Sequence, residues 1–216
     1  AAGKQVVFVN CSGSAMGLVP ETESCRAILQ AWYPGQAAGV AVADVLFGDY
    51  NPAGRLPITF YKNVDQLPDF EDYNMKGRTY RYFKGEALFP FGHGLSYTTF
   101  TYGQAKLAKA VVKAGNSVEL TIPVTNTGKY DGEEVIQVYL NRPADVEGPS
   151  KTLRAFQRVF LKAGQKQDVK IQLNPDELVW FDTNSNTMRC IPGEYKLLYG
   201  GTSDSTKLHT VSFRMN

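Results

Sequence analysis

Residues 32–60 read WYPGQAAGVAVADVLFGDYNPAGRLPITF, and residues 89–100 read FPFGHGLSYTTF. The first stretch decides the fold of the N-terminal half. Ala37, Ala38, Gly39, Ala41 and Ala43 keep a backbone slim while Val40, Leu46 and Phe47 supply an apolar stripe, so a helix is expected from about Gln36 to Phe47. Gly48 ends that helix, Asn51, Pro52, Ala53 and Gly54 make a turn, and Leu56 to Phe60 reads as a strand with Pro57 at its start.

Upstream, Gln5 to Asn10 (QVVFVN) is a short apolar run rich in β-branched residues, the pattern of a strand buried on both faces of a parallel sheet. After the turn residues Ser12, Gly13 and Ser14, Pro20 and Glu21 open a further helical stretch. Cys25, Ile28, Leu29 and Trp32 fall at helical spacing in it, and Pro34 and Gly35 close it. The expected order is strand, helix, helix, strand. That is too little for a complete α/β layer, whose parallel sheet needs several strands and cover on both faces. The remaining strands are expected elsewhere. The strand at Gln5 to Asn10 is then expected to lack neighbours, with self-association or disorder of the first sixty residues as the consequence.

Downstream, Tyr61 to Thr101 reads as a long loop, dense in aromatic residues and punctuated by Gly77, Gly85, Gly92 and Gly94. Beyond Tyr102 the pattern changes to short alternating segments: Ser117 to Asn126, Glu134 to Leu140, Leu153 to Leu161, Gln167 to Leu173, Glu194 to Tyr199 and Leu208 to Arg214. Turn residues such as Gly115, Gly128, Gly164 and Gly193 separate them, which predicts an immunoglobulin-like β-sandwich. No repeat or low-complexity linker divides the halves, so direct packing is expected, with Thr101 to Ala110 as the joint.

Composition narrows the chemistry. With 216 residues and 43% apolar content the chain can fill ordinary cores. The balance of 23 basic and 21 acidic residues, with no basic cluster, gives no surface for a nucleic acid partner. No apolar run is long enough for a membrane-spanning helix, and the N-terminus lacks the pattern of a signal peptide. Cys11, Cys25 and Cys190 are odd in number and widely spaced, so free thiols are expected rather than a disulfide framework or a zinc site. His93 and His209 are the only histidines and suggest no metal cluster. Neither glycine-rich phosphate motif is present, so no nucleotide cofactor is expected.

Candidate site residues each carry two readings. Asp69, Glu71 and Asp72 in PDFEDY, with His93 in the later FGHG turn, are the best local carboxyl candidates for acid–base work, and a solvated acidic loop explains them better. Arg78, Tyr80 and Arg81 in GRTYRY could hydrogen-bond or stack on a sugar, or pin the long loop to its domain. His93 between Gly92 and Gly94 fits a tight turn needing positive φ. Trp180 and Phe181 after Glu177 could form a carbohydrate platform, although a core or inter-domain position is the commoner fate of such residues.

Taken together, WYPGQ, LFGDYNPAGRLPITF, GRTYRYF, FPFGHGLSYTTF and VTNTGKYDGEEVIQVYL resemble the C-terminal part of family 3 glycoside hydrolases, the β-glucosidase and β-xylosidase group. The resemblance covers nearly the whole chain. It implies the last portion of a flavodoxin-like α/β sandwich over residues 1–101 and a fibronectin type III-like domain over 102–216. It also implies a parent enzyme that removes β-linked sugars from the non-reducing ends of oligosaccharides, with retention and without a cofactor. In such enzymes the nucleophile sits in an N-terminal barrel and the acid/base carboxylate upstream of the segment seen here. No catalytic, cofactor-binding or metal-binding residue is therefore assigned in this chain, whose role is structural support of the missing N-terminal domains. A periplasmic or secreted location goes with the resemblance, and GRTYRYF looks closer to β-xylosidases than to many β-glucosidases. The competing class is a non-catalytic carbohydrate-binding or adhesion module.

Overall fold

A computed structural model describes residues 3–216. The N-terminal half opens with β1 (Val7–Asn10), a short α1 (Val19–Ser24), β2 (Ala27–Gln30) and α2 (Ala38–Phe47). β1 and β2 pair in parallel, Val7 opposite Ala27 and Asn10 opposite Gln30, as a two-stranded sheet. Each strand has one neighbour, and neither α1 nor α2 has a buried residue.

The helix expected from Pro20 to Trp32 is corrected here. It stops at Ser24, Cys25 is extended, and the Arg26 N–H donates to Val6 O to start the parallel ladder. Ile28 and Leu29 suit either period, and the open edge of β1 decides for the strand. The strand expected over Leu56 to Phe60 is also corrected. Only Phe60 forms a bridge, with Phe89, while Leu56 exchanges hydrogen bonds with Gly92 and His93. Pro57 and Pro90 lie between those pairs and remove the donors that a continuous ladder would need. α2 forms as expected, and Gly48 ends it in the left-handed conformation at φ 87°.

Residues 61–99 wrap the sandwich as a long loop containing a short α3 (Thr79–Tyr82). The sandwich follows. One sheet has β6 (Val118–Asn126) paired along its length with β9 (Lys166–Leu173), and on its other edge with β3 (Phe100–Tyr102) and then β4 (Lys106–Leu107). Pro123 is tolerated inside β6 because the edge switches there from β3 to β4, where the Gly103 N–H donates to Pro123 O. The second sheet has the order β5 (Val111–Val112), β13 (His209–Met215), β12 (Gly193–Gly200), β7 (Gly132–Asn141), β8 (Thr152–Leu161). A small hairpin of β10 (Trp180–Asp182) and β11 (Thr187–Arg189) completes the list of strands.

Alternation along β6 and β7 builds the core. Val118, Leu120, Ile122 and Val124 meet Ile136, Val138, Leu140, Leu197 and Phe213 between the sheets. The opposite face of β7 is buried as well, because the loop of the N-terminal half covers Gln137 and Tyr139. The chain is thus a partial α/β sandwich followed by a fibronectin type III-like β-sandwich, with the deep core confined to the second part.

Candidate functional site

The two halves meet over the outer face of β7, where polar side chains clip the long loop in place. Gln137 donates from Nε2 to Gly92 O at 3.1 Å and Gly201 O at 2.8 Å, and the Tyr139 hydroxyl donates to Gln137 Oε1. Gly92 has φ 77°, and a Cβ there would lie 1.9 Å from Gln137 Oε1, so the FGHG turn requires glycine on both counts. His93 stacks on Phe89 at 5.2 Å, and its ring sits against the joint with its pKa lowered by burial and by the nearby Lys207 and Arg55 charges.

A second clip is ionic. Arg55 reaches Glu134 Oε2 at 2.8 Å, and the Tyr102 hydroxyl donates to Glu134 Oε1 at 2.8 Å. Burial pushes the Glu134 carboxyl above its ordinary range even though Arg55 and Tyr102 oppose that shift. Asn51 and Asn126 form a third set. Asn51 accepts from Ser96 Oγ and the Tyr97 N–H and donates to Asp131 O, while buried Asn126 accepts from Thr98 Oγ1 at 2.6 Å. Sequence reasoning missed all three clips, in which Gln137 and Gly92 are 45 residues apart, Arg55 and Glu134 79, and Thr98 and Asn126 28. The recurrence of polar residues inside otherwise apolar β7 (Glu134, Gln137) was the available signal.

The structure scatters the sequence-derived candidates. Asp69 and Asp72 accept hydrogen bonds from Glu71 N–H and from Asn74, within their own exposed loop, and bonding from Asn74 holds Asp72 below its ordinary pKa. Glu71 is exposed. His93 is not brought to them: it lines a cleft of about 750 Å³ whose wall includes none of the three carboxylates. Arg78 donates to Asn74 O, Asp69 O and Asp72 O, tying the base of the acidic loop. Tyr80 stacks on Phe91 at 4.3 Å and accepts the Leu153 N–H at 3.0 Å, while Arg81 O accepts from the Ser150 N–H. The GRTYRY helix therefore docks on β8. Trp180 is buried in the core and donates its indole N–H to Asp145, whereas Phe181 is exposed and Glu177 caps the turn at Asn174. Among the described residues no group of three potential metal ligands gathers, and no helix is long and apolar enough to cross a membrane.

Comparison with known proteins places this arrangement. Residues 1–97 match the glycosyl hydrolase family 3 C-terminal domain and residues 134–203 the fibronectin type III-like domain. The chain is 60% identical to a xylan 1,4-beta-xylosidase of Xylanibacter ruminicola over 94% of its own length and 23% of that protein. It is 36% identical to a periplasmic beta-glucosidase of Salmonella typhimurium over 100% of this chain and 29% of that protein. A solved β-glucosidase from Erythrobacter marinus superposes with a TM-score of 0.84 at 35% identity, over 97% of this chain and 28% of that one. The chain therefore spans under a third of the length of these relatives. Its two matched domains, in this order and over this fold, belong to the C-terminal part of family 3 glycoside hydrolases.

Proposed function

We propose that the parent of this chain is a retaining β-glycosidase that releases single β-linked sugars from the non-reducing ends of oligosaccharides, and that residues 1–101 and 102–216 act as a supporting wall and buttress. The observation that carries the reading is the match of nearly the whole chain, at 60% identity, to part of a protein named xylan 1,4-beta-xylosidase. That relative favours xylo-oligosaccharides over gluco-oligosaccharides as the substrate class. The likeness to a periplasmic beta-glucosidase supports a periplasmic or secreted location.

Retention needs two carboxyl groups about 5–5.5 Å apart across the scissile bond, one to attack the anomeric carbon and one to give and then take a proton. Asp69, Glu71 and Asp72 make poor partners for that task, since two of them are engaged inside one exposed loop. We assign both groups to parts of the parent outside this sequence. Incubation with aryl β-xyloside and aryl β-glucoside tests the assignment. The 216-residue chain is expected to release no phenol, and the parent to hydrolyse the xyloside with the higher kcat/KM. Turnover by the chain that disappears on Glu71→Gln or Asp72→Asn would overturn it.

A further inference from the structure

The cleft beside His93 holds two polar groups that the fold leaves short of partners. Lys151 is only 7% exposed, and its ammonium makes one hydrogen bond, to Ser205 Oγ at 2.8 Å. The neighbouring carboxylate, Asp204, lines the same cleft and its charge favours the Lys151 ammonium, but its ion pair is with Lys207 at 3.8 Å. A lysine is seldom buried without an ion-pair partner, because an ammonium with three donors loses its hydration there. Desolvation accordingly lowers the Lys151 pKa, a shift that the Asp204 charge opposes without cancelling. On the wall of the same cleft, Thr59 is also 7% exposed, and its hydroxyl has no hydrogen-bond partner among the described residues. Both groups line a space of about 750 Å³, ample for a small ligand, with Tyr80 and Phe89 as apolar wall and the His93 imidazole beside them.

We propose that this cleft binds a carboxylate-bearing sugar, a uronic acid unit, with the carboxylate on Lys151 and a ring hydroxyl on Thr59. An ammonium with free donors recognises a carboxylate by charge-assisted hydrogen bonds. The unpaired threonine hydroxyl supplies a directional contact that a bare anion would not need, and the aromatic wall accommodates the C–H face of a ring. A neutral sugar would leave the ammonium as poorly partnered as it is now.

Isothermal titration calorimetry of the chain with D-glucuronate, D-glucose and acetate tests the proposal. Glucuronate is expected to bind, with glucose and acetate each weaker by about tenfold or more, the effect of one charge-assisted contact or of the lost ring contacts. Lys151→Met, which keeps the stem, is expected to weaken glucuronate by about tenfold or more, and Lys166→Met on distant β9 to leave it unchanged. Near-ultraviolet circular dichroism reports whether Lys151→Met retains its packing. Should it unfold, Thr59→Val decides, with a loss of about threefold or more expected. Absence of glucuronate binding, equal binding of glucose, equal binding of acetate, or a folded variant that binds like the unaltered chain would each overturn the proposal.

Discussion

Two residues at the joint carry tests of their own. Gly92→Ala must place a methyl group on the Gln137 amide while holding φ at 77°, and neither can be relieved without breaking the bonds from Gln137 to Gly92 O and Gly201 O. The expected cost is about 2–4 kcal/mol, read as a lower urea midpoint. Gly39→Ala, which meets open space at negative φ inside α2, serves as the control. His93 gives a pH dependence of known sign. Burial lowers its pKa below 6.5, so the unfolded chain takes up a proton that the folded chain resists. Its contribution is present above that value and is lost as the pH falls below it. Stability is expected to fall as the pH drops below about 6.5, with a slope from this group of at most about 1.4 kcal/mol per pH unit. His93→Phe, which keeps the stacking on Phe89, is expected to flatten that slope. An unchanged slope would assign the dependence to other groups.

Among elements, the contact between the N-terminal half and β7 includes a buried ion pair beside its aromatic packing. Removing one partner of the Arg55–Glu134 pair strands the other at a site where both side chains are under a tenth exposed. Arg55→Met is expected to cost about 3–5 kcal/mol, and Arg55→Met with Glu134→Met together less than Arg55→Met alone, since the double change leaves no buried charge. Thermal melts of both variants measure this, and a double variant worse than the single would overturn it. The sandwich was legible because period-two alternation in β6, β9, β12 and β13 is imposed by burial of one face, a property each segment carries locally. β2 was not legible, because its strand form depends on a hydrogen-bonded edge twenty residues upstream that no local pattern encodes. The three-residue strands β3, β10 and β11 are too short to show a period. At the candidate site, the FGHG turn could be read from its glycines. The groups that meet it could not, since Gln137, Lys151 and Asp204 arrive from separate strands and loops.

For the whole molecule, surface area gives the strongest physical sign of an incomplete body. The described chain exposes 12928 Å². A compact monomer of 23.9 kDa would expose roughly 9,900 Å², and even two separate compact halves roughly 11,900 Å². The first part carries much uncovered apolar surface: Phe47 is 84% exposed, Phe70 and Tyr73 are 92% and 90% exposed, and Val40, Leu46 and Tyr33 are also uncovered. β1 and β2 add sheet edges with open hydrogen-bonding groups. Apolar surface and open edges together favour association with whatever covers them, which for the chain in isolation is another copy. Sedimentation equilibrium is expected to give a mass above 23.9 kDa that rises with concentration. Replacing Val40 and Phe47 of α2 with Lys and Glu should return it toward that value without lowering the melting point of the sandwich, whose core contains neither residue. Hydrogen exchange supplies an independent reading, with amides of β1 and β2 exchanging orders of magnitude faster than those of β7 and β12, which are flanked on both sides. A chain that stays monomeric at high concentration, with β1 protected like β7, would show that the N-terminal half closes on itself and needs no covering partner.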